Sequence, residues 1–419
     1  MSALILMVFG IAAVAAMPIA HALLAASMAA AATSDRVPLD LIVQQMVAQV
    51  QSFPLIAIPF FMLTGTLMMG GKLGESLIGV LSTLIGRFHG GPGQVGVLSS
   101  TIFGGVSGSA VADASAIGSL LIPWQKRLGY PAEFSAATLA AAATIDILIP
   151  PSIPMILFAL SANASIAALF VAGILPGLLM CGGFMAVCWW VGKRRNFPRE
   201  LQPINWAVFR RQLAYASPAL IMPVLVVVFL RFGIATPTEV SVLSTLYAAF
   251  VSAVIYRDLG LKRLHHAIVE AGLATGVVLL VIMASAAVGW LLTYDHMPDG
   301  VVGWAKANLE SGWTVIALMN VLMLVCGMFI DLPAAVLLLT PVFLPLAQSI
   351  GMDPVQLGIM MTVNLAIGLY TPPVGTTLFI TSSVAKVKVG QTVRELVPFY
   401  AVAFGILMLV SYVPASILR

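Results

Sequence analysis

Long apolar blocks separated by short polar stretches run from one end of the chain to the other, among them Ala3 to Ala32, Ile166 to Val191, Ala214 to Leu230, Val240 to Tyr256 and Leu396 to Val413. A helix crosses a bilayer in about 20 such residues, so the pattern predicts an all-α polytopic membrane protein with roughly ten to twelve embedded segments. The first block, Ala3 to Ala32, is too long for a signal peptide and lacks a basic flank, so it is expected to be retained. Another block is interrupted. Between Phe134 and Leu160 the run LIPPSIP puts Pro150, Pro151 and Pro154 where a spanning helix would be continuous. Proline inside a helix removes a backbone donor and clashes with the preceding turn, a cost of about 3 kcal/mol or more. In hydrocarbon the freed carbonyls find no water, and such breaks survive only where they line a cavity or are buried in protein.

A second proline pair occurs in LYTPPVG, and Pro150 and Pro372 lie 222 positions apart (372 − 150). The same shift carries Pro123 onto Pro345, Gly129 onto Gly351 and Pro176 onto Pro398 without a gap. The chain therefore reads as two related halves. The first, 1–195, is expected to hold a re-entrant hairpin at about 95–123 and a broken helix at about 133–161. After a basic linker at 196–213, the second half, 214–419, repeats them at about 313–346 and 354–384.

Equivalent loops carry opposite basic bias. Lys126 and Arg127 correspond to Gln348 and Ser349, whereas Ala164 and Ile166 correspond to Lys386 and Lys388. Basic loops collect on the cytoplasmic side, so the halves are expected to be inverted, with the linker around 193–211 cytoplasmic and Arg419 outside. In transporters built from inverted repeats, midplane breaks form the central site, loose carbonyls holding cations and half-helix N-termini attracting anions.

Composition agrees: 60% of the 419 residues are hydrophobic and 9% charged, against about 25% charged in soluble domains. The net charge of +4 comes from loop Lys and Arg and implies no nucleic acid. Cys181, Cys188 and Cys326 lie in apolar segments without metal-ligand spacing, and the five histidines form no paired motif. No compact set of a nucleophile with a base suggests an enzyme.

Each break has a companion. FGGVSGSAVADAS, Phe103 to Ser115, reads as the tip of a hairpin, close packing through small residues being the plainer alternative. The shift carries Ser109 onto Asp331 in GMFIDLPAA. Acids in apolar segments are costly and are candidates for function. Asp113 and Asp331 fit either cation coordination or capping of the tip backbone, and Asp146 either a proton or cation role or a structural pairing. Glu239 in TPTE completes a capping box with Thr236. Asn364, Thr376 and Thr377 can bond either freed backbone or substrate.

The runs SFPLIAIPFFMLTGTLM (52–68), GGVSGSAVADASAIGSLLIP (104–123), LIPPSIPMILFAL (148–160), TPTE (236–239) and NLAIGLYTPPVGTTLF (364–379) resemble the large membrane subunit of tripartite ATP-independent periplasmic (TRAP) transporters over nearly the whole chain. The resemblance implies a sodium-driven importer of small organic acids in the bacterial inner membrane, working by an elevator motion and needing no cofactor beyond sodium ions. It implies two partners, a periplasmic solute-binding protein that delivers substrate and a small four-helix membrane subunit encoded as a separate chain. Carried over by residue, it assigns sodium to Ser107, Ser109, Ile149, Pro150, Asp331, Gly368 and Thr371. It leaves Ser107, Asp146, Pro151, Ser152, Asn364, Pro373 and Thr376 for substrate. One departure stands out, because the family carries glycine where this chain has Asp146. The other classes the residues allow are a carrier that needs no binding protein, an ion channel and a membrane-embedded enzyme. The identity of the acid is not written in this chain.

Overall fold

The computed structural model describes residues 1–15, 17–33, 37–69, 73–199, 205–309 and 311–414. Arg419 and residues 200–204 of the linker therefore lie outside the described residues. Among the described residues there are helices and no strands. α1 (Ser2–Val14), α2 (Ile19–Ala32), α3 (Leu39–Val50), α4 (Ala57–Met69) and α5 (Leu73–Ile85) lead to a helical hairpin of α6 (Gly91–Ser107) and α7 (Ala110–Arg127). α8 (Ala132–Ala142), extended by a 3-10 turn at Ala143–Ile145, and α9 (Ile153–Ala162) are the arms of the first broken helix, and α10 (Ile166–Arg194) follows. α11 (Trp206–Arg231), α12 (Pro237–Phe250), α13 (Leu261–Tyr294) and α14 (Met297–Asn308) precede a second hairpin, α15 (Gly312–Gly327) and α16 (Leu332–Ser349). The second broken helix is α17 (Pro354–Gly368) with α18 (Thr376–Ala385), and α19 (Val389–Tyr412) ends the described chain.

Six of these helices are long and apolar enough to cross a membrane, or seven if the bent pair α3 and α4 counts as one span. Shorter apolar helices of 10–17 residues are α1, α2, α8 with its 3-10 turn, α9, α15, α17 and α18. The N-terminal run is one of these cases. Ala3 to Ala32 is not one continuous helix but two, α1 and α2, packed along each other, with Pro18 preceding the second. Proline at that position fits the entry to a helix but not its interior. The linker is also shorter than expected, because Asn205 caps α11 through the amides of Ala207 and Val208 and the chain is helical from Trp206.

Element bounds follow the 222-residue shift. Adding 222 to Ala110–Arg127 gives 332–349, the bounds of α16, and adding it to Ile153–Ala162 gives 375–384, one residue short of α18. The same addition carries both α3 and α4 into the single helix α13. Where α13 is continuous, the first half bends by 61°, at Ser52-Phe53-Pro54, where proline supplies no helical donor.

Two helix groups result. α2, α3 and α4 pack with α12 and α13, and α5 packs with α11. The hairpins, the broken helices, α10 and α19 form the other group, in which the halves interleave: α7 lies against α18, and α16 against α9. The capping box at Thr236 is present, Thr236 Oγ1 accepting from the Glu239 amide while the Glu239 carboxylate accepts from the Thr236 amide at 2.7 Å.

Candidate functional site

The first hairpin turns in two residues. α6 ends at Gly108, whose φ of +62° is left-handed, and Ser109 caps α7 by accepting from the Ala112 amide. Gly108 is required twice over, because a Cβ there would also sit 2.5 Å from the Pro151 carbonyl oxygen. The tip is thereby pressed against the first break. That break follows from its prolines: Pro150, Pro151 and Pro154 cannot donate to the carbonyls of Asp146, Ile147 and Pro150. The Ile147 carbonyl is recovered by the Ser152 hydroxyl at 2.6 Å, and Ser152 also caps α9.

The second break repeats this device with different residues. Pro372 and Pro373 leave the Gly368 and Leu369 carbonyls without helical donors, and the Leu369 oxygen accepts from Thr377 through both amide (3.0 Å) and hydroxyl (2.9 Å). Leu369 is the repeat equivalent of Ile147 (147 + 222). The Thr377 hydroxyl also lies 3.1 Å from the Ala140 carbonyl of α8, tying the two broken helices together.

A cavity of about 360 Å³ lies between the two tips and the two breaks, a size that suits a small molecule. Ala110, Ile153, Leu332 and Thr376, the first residues of α7, α9, α16 and α18, all line it. Four helix N-termini thus converge on one space, each bringing the partial positive charge of a helix start. The remaining wall is apolar and comes from the other helix group, through Met62 of α4 and Ala274, Val277 and Val278 of α13. Asp331 is the only ionisable side chain in the lining, and no Lys, Arg or His is among the lining residues.

Behind the first tip lies a buried polar trio. The Ser107 hydroxyl is 3.0 Å from Asp113 Oδ1 and 2.9 Å from Asp146 Oδ2, and both acids are fully buried. Oδ2 of Asp113 and Oδ1 of Asp146 have no partner among the described residues. Asp146 fits because Gly104 faces it: a Cβ on Gly104 would come within 2.5 Å of Asp146 Oδ1.

Of the residues singled out from the sequence, Ser109, Asp331 and Thr376 line the cavity, and the Thr376 hydroxyl has no partner among the described residues. Ser107 and Asp146 stand behind the tip, with Pro150, Pro151 and Ser152 in the break beside it and Ile149 against Gly177 of α10. Gly368 backs onto Gly327, and Thr371 donates to the Ile367 carbonyl at 2.6 Å. Two residues do not join the site. Pro373 is exposed and outside the cavity lining. Asn364 donates at 2.9 Å to the Asn320 side chain, and Asn320 in turn to Ser411, so its amide ties α15, α17 and α19 together. The apolar wall from α4 and α13 was not foreseen from the sequence, since nothing in an ordinary apolar helix marks which face meets a cavity.

The family profile described as "Tripartite ATP-independent periplasmic transporter, DctM component" matches residues 4–416. The chain belongs to the DctM family of TRAP transporters. An uncharacterized Sinorhizobium fredii protein is 54% identical, the match covering 96% of each chain. The 2,3-diketo-L-gulonate TRAP transporter large permease of Escherichia coli is 36% identical over 96% of this chain and 94% of its own. Among solved structures, the YdaH transporter of Alcanivorax borkumensis superposes with a TM-score of 0.64 at 17% identity, covering 89% of this chain and 88% of that one. That likeness concerns the fold. As a DctM-family protein the chain is a multi-pass transporter permease subunit and not an enzyme.

Proposed function

We propose that this DctM-family permease imports small organic acids by sodium symport across the bacterial inner membrane, receiving them from a periplasmic solute-binding protein and working with a separate small four-helix subunit. The observation that carries this reading is the convergence of four helix N-termini on one cavity that has no basic lining residue. A carboxylate there is held by amides and helix dipoles rather than by an arginine clamp. Asp331 repels it unless a cation neutralises the site, and this makes the ion a requirement rather than an accessory.

Buried oxygens suited to a hard monovalent cation are present on both sides. Ser107, Ser109 and the backbone at Ile149 and Pro150 would hold sodium in the first half, and Asp331, Gly368 and Thr371 in the second. Unpartnered, fully buried carboxylate oxygens at Asp113 and Asp146 support a cation near the first tip. For substrate, Ser109 and Thr376 replace Asn364 and Pro373 as the side chains of choice, with Ser107, Asp146, Pro151 and Ser152 shaping the tip behind them.

The motion we infer is an elevator: hairpins and broken helices move as one body against α2–α4 and α11–α13. The apolar wall of Met62, Ala274, Val277 and Val278 supports this, because a surface without directed bonds lets its partner slide. The equivalence of the halves under the 222-residue shift, with opposite basic bias in matching loops, supports an inverted repeat, the linker at 193–211 lying in the cytoplasm. The test is uptake by proteoliposomes holding the permease and its small subunit, supplied with binding protein and labelled acid. Uptake is expected to follow an inward sodium gradient and to vanish in potassium; equal uptake in both overturns the coupling.

A further inference from the structure

The helix group that carries the hairpins also bears a groove of about 730 Å³ between α10 and α19, away from the central cavity. Gly183 sets its floor, since a Cβ there would overlap the Val402 side chain. Gly183 thus meets Val402 while Arg195 meets Glu395, so the two helices run antiparallel along the groove.

One end is basic and aromatic. Trp190, Arg194 and Arg195 line it, with Arg194 over the Trp190 ring at 5.6 Å and Lys193 over the Trp189 ring at 5.1 Å. Both tryptophans are exposed, and exposed tryptophan beside basic residues marks the headgroup level of a bilayer. Neither Lys193 nor Arg194 has an acidic partner among the described residues. The one carboxylate nearby, Glu395, accepts at 2.8 and 2.9 Å from Arg195 Nη1 alone, so the Nη2 and Nε donors of that arginine are not used in the pair. An anion is what this end lacks.

Beyond it the groove is apolar and shallow. Gly182, Ala186 and Trp190 follow at four-residue spacing on α10, as do Val397, Ala401 and Gly405 on α19, and all six are exposed. A Cβ on Gly182 or Gly405 would meet open space. Two rows of small residues therefore leave a furrow that leads away from the arginines. Gly182 to Arg194 is twelve residues (194 − 182), about 18 Å of helix, close to half of the roughly 30 Å hydrocarbon core. A furrow of that length fits one acyl chain of one leaflet, and a small soluble anion would leave it unfilled.

We propose that this groove binds an anionic phospholipid, its phosphate between Arg194 and Arg195 and an acyl chain along the furrow toward the bilayer centre. A choline headgroup fits less well, because its cation faces the same arginines. The inference does not depend on what is transported. The test is photo-crosslinking of the full-length chain in nanodiscs with trace phosphatidylglycerol or phosphatidylcholine carrying the same diazirine acyl chain, the labelled peptides being mapped by mass spectrometry. Phosphatidylglycerol is expected to label α10 and α19 at least fivefold more than phosphatidylcholine. Arg194→Gln, at an exposed position, should lower phosphatidylglycerol labelling about fivefold and leave phosphatidylcholine labelling unchanged. Ala401→Phe, which fills the furrow, should lower labelling by both lipids, and Lys262→Gln, a basic residue outside the groove, should alter neither. Equal labelling by the two lipids, labelling spread evenly over the exposed helices, or phosphatidylglycerol labelling undiminished in Arg194→Gln overturns the site. Labelling should also persist when the small membrane subunit is added; its loss would assign the groove to a protein helix and overturn the lipid.

Discussion

Asp146 and Gly368 occupy the same repeat position (146 + 222) and solve opposite steric problems. Gly368 meets the Gly327 backbone so closely that a Cβ would lie 2.5 Å from its carbonyl, which leaves no room for a side chain. Asp146 has room because the glycine is on the other partner, Gly104. Gly104→Ala and Gly368→Ala are therefore each expected to destabilise by about 1–3 kcal/mol through overpacking, read as a lower melting temperature in nanodiscs. Asp146→Asn, which keeps an acceptor for Ser107, should melt near the parent, and Asp146→Ala should not. The oddity of Asp146 was legible in the sequence as a departure from a family pattern. Its partners were not, because Ser107 and Gly104 reach it only through the packing of hairpin on break, which no local spacing encodes.

The elements divide into those that build the site and those that brace it. Asn364 was expected at the site, since a carboxamide in an apolar helix needs a partner. The need was legible but not the partner, Asn320, which lies 44 residues away on α15. Asn364→Leu is expected to cost about 1–3 kcal/mol by stranding a buried polar group, with little change in the sodium concentration for half-maximal uptake. Thr376→Val removes a hydroxyl that has no partner among the described residues and should leave melting unchanged while reducing uptake. The breaks and tips were the easiest elements to foresee, because proline and glycine act through local sterics. The division of Ala3 to Ala32 into α1 and α2 was harder, since apolar residues fill both sides of Pro18.

The start of α1 is itself tied to the end of α13. Asp295 accepts from both the hydroxyl and the amide of Ser2 at 2.6 Å, and those bonds hold its carboxyl down to about 2. A carboxylate so depressed contributes stability that is complete above its ordinary range of about 4 and is lost as pH falls through the folded value. Amide exchange at the start of α1 should therefore quicken as pH drops from 4 toward 2, after correction for intrinsic rates, and Asp295→Asn should quicken it already at neutral pH.

Across the whole molecule, two helix groups meet at an apolar wall, and one of them carries every tip and every break. The two halves supply matching parts at one offset, α7 and α16, α9 and α18, and each hairpin packs on the other half's broken helix. This exchange lets four helix starts face one cavity, and under the inverted repeat proposed above the halves run in opposite senses through the membrane. That orientation can be read directly. In a background with Cys181, Cys188 and Cys326 replaced, Asn163→Cys and Lys386→Cys mark equivalent helix ends, since adding 222 to 163 gives 385, one residue from Lys386. Labelling with a membrane-impermeant maleimide, in intact cells and in inverted vesicles, should modify position 163 only from outside and position 386 only from the cytoplasmic side; modification of both from the same side would contradict the account.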